Sequence, residues 1–319
     1  MGITPLIVAC EHDKIELVEI LVTKVDVNQQ LRSNGYAPLH KMASDGNPDI
    51  AALLLNNGAI VDKESHDGLT PLHVAASAGN MDVIDILLRY KANINAQDCA
   101  KTTPLIRAVQ DRHRDAAVKL IDAGANADIC AINGIHVLHF AAYLDDIKTI
   151  ELLAQKGIDL NTKDANGISP LHIATLKGNT SAVEALLSCG AIADILNNDG
   201  FTPLHLAVNN DNVEITELLM DKGASINVEV EGKAPAIFSK SPKMNQLFQE
   251  RGSQSQCEEL PIKKEEEEKS VTEQREVAEH APKPEQQASE QGSNAKSVQS
   301  MKRVMDDLSE QYNALLPAC

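Results

Sequence analysis

The chain has 319 residues, a formal net charge of −17 and a pI near 5.0, so it is strongly acidic. Residues 1–230 alone carry 17 Lys or Arg against 30 Asp or Glu. Phosphate backbones and anionic membranes are therefore repelled, and a protein with a basic surface is the better-matched partner. No apolar run approaches the roughly 20 residues that cross a bilayer, and no amino-terminal apolar stretch indicates secretion. The six cysteines lack the paired short spacing of a zinc site or disulfide framework. The expected setting is the cytoplasm, with the nucleus second.

From the first residues onward the chain repeats itself. A glycine stands at Gly2, Gly35, Gly68, Gly134, Gly167 and Gly200, always a multiple of 33 apart, and Lys101 fills the vacant place. Each is followed by a variant of Thr-Pro-Leu-His, such as Thr70-Pro71-Leu72-His73 or Thr202-Pro203-Leu204-His205. Proline suits the first turn of a helix, where its missing N–H costs nothing, and the Thr or Ser before it is a good cap. A short helix is expected from each proline, then a turn such as Gly79-Asn80, then a more apolar helix such as Val83–Leu88 with apolar positions three and four apart. The polar remainder, such as Asn93–Asp98, reads as a projecting finger.

Taken in order, the first unit begins after its finger should have started, so its leading hairpin is mostly missing. Units two and three are regular. Unit four has Lys101 for glycine, Ile106 for histidine and Arg112-His113 at the inter-helix turn; unit five has His136-Val137 for Thr-Pro, Asp145-Asp146 at that turn, and Ile158 where alanine is usual. A side chain at such a turn costs about 1 kcal/mol relative to glycine where the backbone is left-handed. The middle of the array is thus its expected soft part. Units six and seven are regular again. Residues 231–250 form a degenerate eighth unit or capping segment, with Pro242–Phe248 as a short covering helix. From about Arg251 to residue 295 Glu, Gln, Ser, Lys and Pro dominate, a composition too poor in apolar surface to offset ordering entropy. In residues 296–319, Val298, Met301, Met305, Leu308, Tyr312 and Leu315 recur at alternating steps of three and four, as in a short amphipathic helix that folds against a second protein, another copy or the array itself.

The 33-residue period and the Thr-Pro-Leu-His signature resemble the ankyrin repeat, in seven units over residues 1–230. That resemblance implies an all-α solenoid of helix-turn-helix units with β-hairpin-like fingers in a curved stack. Each pair has one apolar layer and completes a core only on its neighbours. It further implies that His40, His73, His139, His172 and His205 are structural, bonding the signature Thr and backbone. Their spacing of one per layer already prevents any two from sharing a zinc ion. It also implies an asparagine at the finger's end open to hydroxylation, for which Asn95, Asn161 and Asn227 hold the matching place.

No nucleophile, base and orienter can be grouped, and no phosphate loop is present; neither catalysis nor a cofactor is expected. The resemblance places partner binding in a groove lined by finger tips and first helices. Ile132, Ile135, Tyr143, Leu144, Ile168, Leu176, Leu196 and Phe201 form the expected apolar hot spot in units five to seven. Glu11, Asp45 and Asp111 supply rim charge. For Ile135 and Phe201, beside the signature, packing within the stack is the competing reading. An adaptor or scaffold is the leading function. The alternatives are an inhibitor of a transcription factor, resembling ankyrin-class inhibitors with an acidic tail, and a host-directed effector of an intracellular bacterium.

Overall fold

The computed structural model describes residues 4–258. The carboxy-terminal segment with Val298, Met301, Met305, Leu308, Tyr312 and Leu315 lies outside the described residues. Fourteen helices form seven consecutive pairs: α1 (Pro5–Glu11) with α2 (Ile15–Val22), α3 (Pro38–Asp45) with α4 (Pro48–Asn56), α5 (Pro71–Ala78) with α6 (Met81–Arg89), and α7 (Pro104–Gln110) with α8 (Arg114–Asp122). They continue with α9 (Val137–Tyr143) and α10 (Ile147–Gln155), α11 (Pro170–Lys177) and α12 (Thr180–Ser188), and α13 (Pro203–Asn209) and α14 (Val213–Asp221). A 3-10 turn at Pro235–Phe238 and α15 (Pro242–Glu258) follow.

Local chemistry starts these helices where the sequence places them. Proline opens six of the seven first helices, and Thr4, Thr103, Ser169 and Thr202 accept from the backbone N–H three residues on. Second helices are capped by Asn47, Asp146 and Asn212 in the same way. Between the two helices of a unit the chain turns through one left-handed residue. Glycine supplies it at Gly46, Gly79 and Gly178, whereas Arg112 (φ 62°) and Asp145 (φ 56°) adopt it with a side chain.

Packing follows from the period. Ala75, Ala108, Ala141, Ala174 and Ala207 are 33 residues apart and wholly buried, so neighbouring first helices approach closely. First helices contact first helices and second helices contact second helices along the stack. The first-helix row is the tighter of the two. Leu17, the counterpart of buried Ile50 and Val83, is 45% exposed, since no described helix pair precedes α1. At the other end Met244 and Leu247 of α15 and Phe238 of the 3-10 turn are buried against the last unit. α15 continues to Glu258, past the boundary near Arg251 that composition suggests; within that stretch Arg251 reaches back to Asp221 as an ion pair.

The fingers are not β-hairpins. Among the described residues no strand forms, and the one isolated bridge pairs Val230 with Lys233. Each finger closes with a pair of backbone bonds across a tight loop, as from Asp98 N–H to the Thr102 carbonyl (3.1 Å) and Lys101 N–H to the Asp98 carbonyl (2.8 Å), or Asp164 N–H to Ile168 (2.9 Å) and Gly167 N–H to Asp164 (3.0 Å). One further bond ties it to the finger before: Cys99 N–H to Asp67 (2.9 Å), Ile132 to Ala100 (3.0 Å), Ala165 to Asn133 (2.8 Å). One backbone bond per junction is too few for a ladder. Among the described residues no helix is long and apolar enough to cross a membrane.

Candidate functional site

The signature histidines form a buried ladder. In His40, His73, His139 and His172 the ring Nδ1 accepts from the backbone N–H of its own helix cap at 3.1–3.2 Å. Because Nδ1 accepts, Nε2 carries the proton and donates to the next unit, reaching the carbonyls of Leu69 (2.9 Å), Thr102 (3.0 Å), Ile168 (2.9 Å) and Phe201 (3.0 Å). His205 accepts from Thr202 N–H at 3.2 Å and bonds its hydroxyl at 2.7 Å. All five rings are fully buried. Burial depresses their pKa, to about 3 for His139 and about 4 for His172 and His205. These rings are neutral, and those of His40, His73, His139 and His172 bridge adjacent layers.

Along the exposed edge of the first-helix row lie side chains at 33-residue spacing. Lys41 pairs with Asp45 at 3.2 Å and Glu11 at 3.8 Å. Ser77 donates to Asp111 in the next unit. Lys177 lies over the Tyr143 ring, 4.4 Å from its centroid. Tyr143, Leu144 and Leu176 are half-buried, while Ile132 and Leu196 stand out on fingers two units apart at 38% and 43% exposure. The structure therefore brings Tyr143 and Leu144 to the same edge as Leu176, with Lys177 over the Tyr143 ring.

Three residues expected in the apolar hot spot are not on the surface. Ile135, Ile168 and Phe201 are at most 2% exposed, and each belongs to the core. The cause is a corner between the finger base and the first helix. It is filled by Ile135 and Phe140 in unit five, Ile168 and Ile173 in unit six, and Phe201 and Leu206 in unit seven, all buried. In units two to four the same places hold Tyr36 and Lys41, Leu69 and Val74, and Thr102 and Arg107. Tyr36, Lys41, Leu69 and Arg107 remain half-exposed there, and the corner stays open as a pocket of about 240 Å³. This part of the apolar enrichment of the later units thus fills their own stack.

Sequence reading missed Asp98 and Asp164, which sit 66 residues apart at one finger position. Asp98 accepts from Thr102 N–H (2.8 Å), from the Thr102 hydroxyl, and from Arg107 Nε (3.1 Å) and Nη2 (2.5 Å). Burial works to raise its pKa, but these bonds hold the carboxyl below its ordinary value. Asp164 has Ile168 and Ile173 in place of Thr102 and Arg107. Its Oδ1 accepts from Asn166 and Ile168 N–H, its Oδ2 has no donor, and burial pushes its pKa up. The contrast was legible in the 33-residue alignment once a cation at position 107 was sought.

Asn95 and Asn161 lie half-buried in their loops, and each side-chain carbonyl accepts a backbone N–H from the following unit, Asn126 (2.9 Å) and Ile192 (2.8 Å). Asp62 and Asp194 do the same to Asn93 and Ser225. The position thus alternates Asp and Asn at 33-residue spacing because either oxygen serves. Asn227, at the last such place, is exposed.

Among the described residues no three His, Cys, Asp or Glu side chains converge as a metal site. A family model described as ankyrin repeats (3 copies) matches residues 1–65, 42–133 and 138–230. Ankyrin repeats are a non-catalytic structural family whose architecture generally serves as a scaffold for protein–protein interaction. No curated protein matches the chain. Paired helices stacked at a 33-residue period, bridged by buried signature histidines and matched by that model over most of residues 1–230, place the chain in the ankyrin-repeat family.

Proposed function

We propose that this chain is a non-enzymatic adaptor or scaffold that grips a partner protein along the edge formed by its fingers and first helices. The observation that carries this reading is the open edge of the first-helix row. There Tyr143, Leu144 and Leu176 remain partly accessible beside Lys177, while the core behind them is complete. Partly exposed aromatic and aliphatic groups beside a polar rim are the residues from which affinity is usually built. Glu11, Asp45 and Asp111, toward the amino-terminal half, orient a basic partner.

The excess of 30 acidic over 17 basic groups in residues 1–230 favours one narrower reading, an inhibitor that masks a basic surface of a transcription factor. The carboxy-terminal heptad residues would serve a second protein or weak self-association. Replacing Tyr143, Leu144 and Leu176 together by Ser tests the main reading. Loss of partner recovery in a pull-down supports it; unchanged recovery by a folded variant rejects the edge as the site. Removing residues 296–319 and measuring mass in solution tests the tail, and a monomeric intact chain rejects self-association.

A further inference from the structure

The open corner of units two to four is a recess of the groove that the array does not fill with its own side chains, and its walls are chemically specific. Tyr36 and Leu69 come from the finger bases, Val74 and Ser77 from α5, and Arg107 from α7, with Ser44 at the edge. At about 240 Å³ the pocket is smaller than the roughly 300–1,000 Å³ of sites that enclose a whole small molecule. A single side chain fits it.

Charge decides which one. The guanidinium of Arg107 is already held by Asp98 through two nitrogens, and Lys41 is held by Asp45 and Glu11. Asp111 receives only the Ser77 hydroxyl among the contacts it makes with the groove. Asp111, through its bond to the lining residue Ser77, is therefore the carboxylate that borders the pocket beyond those its own cations balance. An acidic guest would be repelled by it, and an apolar guest would strip water from it without replacing it. A long basic side chain satisfies both requirements, since its methylene stem lies along Leu69 and Val74 while its head meets the Tyr36 ring and Asp111.

We propose that this corner, lined by Tyr36, Leu69, Val74, Ser77 and Arg107, is a pocket for one arginine or lysine side chain presented by an extended segment of the partner. The proposal rests on the reading that the finger and first-helix edge binds proteins, and it makes the amino-terminal half of that edge a specificity site distinct from Tyr143, Leu144 and Leu176. The sequence departs from its own pattern here for a reason. Phe140 or Ile173 at the place of Val74 would close the pocket, as they do in units five and six.

The test titrates the intact, isotope-labelled protein with N-acetyl-arginine amide, and separately with the matching glutamate and leucine amides, while NMR signals are followed. Expected is a saturable shift of Tyr36, Leu69, Val74 and Ser77 signals with the arginine probe, and binding about tenfold weaker or worse for the other two. Val74→Phe, which copies unit five, abolishes the shift with the fold retained by circular dichroism. Asp111→Asn, which leaves the walls intact, weakens it about two- to fivefold. No saturable shift with arginine, equal binding of glutamate or leucine, or unchanged binding in either variant overturns the proposal. None of these outcomes depends on Tyr143, Leu144 or Leu176, so a failed pocket leaves the adaptor reading to its own pull-down.

Discussion

Acid should unfold this protein through its histidine ladder before its carboxylates matter. His139, His172 and His205 are held neutral at folded pKa values of about 3, about 4 and about 4, against 6.5 in the unfolded chain. A folded value below the unfolded one means that the unfolded chain binds the proton. Stability is therefore complete above pH 6.5 and is lost as pH falls toward the folded values. At pH 5 each ring costs about 2 kcal/mol, so three rings cost about 6 kcal/mol. His40 and His73, also depressed by burial, add in the same direction. A domain stable by about 5–15 kcal/mol loses much of its margin. Urea unfolding followed by circular dichroism at half-unit pH steps should show a slope of about 4 kcal/mol per pH unit between pH 6.5 and 5, the signature of about three protons. His172→Gln should lower that slope by about one proton. It should also cost about 1–3 kcal/mol at pH 7.5, since the Ser169 amide and Phe201 carbonyl lose their partner. A slope below about two protons, or one unchanged in His172→Gln, would refute the view that these rings are neutral bridges.

Three further outcomes follow from other residues. Arg112→Gly should stabilise the array by about 1 kcal/mol, because Arg112 holds φ 62° where Gly46, Gly79 and Gly178 stand in other units; a thermal melt that falls refutes the strain. Asp164→Asn should raise the urea midpoint at pH 7.5, with the gain shrinking toward pH 4. The wild-type carboxyl has a raised folded pKa and loses stability as pH climbs through it, while Asn197 already fills the equivalent place with an amide. A gain that is equal at both pH values would sink that account. Iodoacetamide at pH 8 should label Cys99 and Cys189, which are exposed, and spare Cys10 until denaturant is added, because burial pushes the Cys10 thiol up to about 12; peptide mass spectrometry reads the order of labelling.

The period, the proline-capped helix starts, the inter-helix turns and the one-per-layer histidines are properties of residues near one another in the chain. Helix caps, left-handed turns and apolar spacing act within a few residues, so the sequence alone determined the helix pairs and the need to stack them. It also carried the exceptions at Lys101, Arg112 and Asp145. Which apolar side chains face outward was decided only by the stack. Ile168 looks like a surface residue beside a finger, and Ile135 and Phe201 read either way, until the first helix of their own unit presents Phe140, Ile173 and Leu206 to the same corner, and burial then depends on two residues together. The same corner stays open where the pair is Leu69 with Val74 and Arg107 comes from the next unit, and Asp98 becomes a paired ion while Asp164 does not. Exposure and charge pairing are set by distances between units, and a periodic string of residues does not contain those distances until its layers are laid on one another.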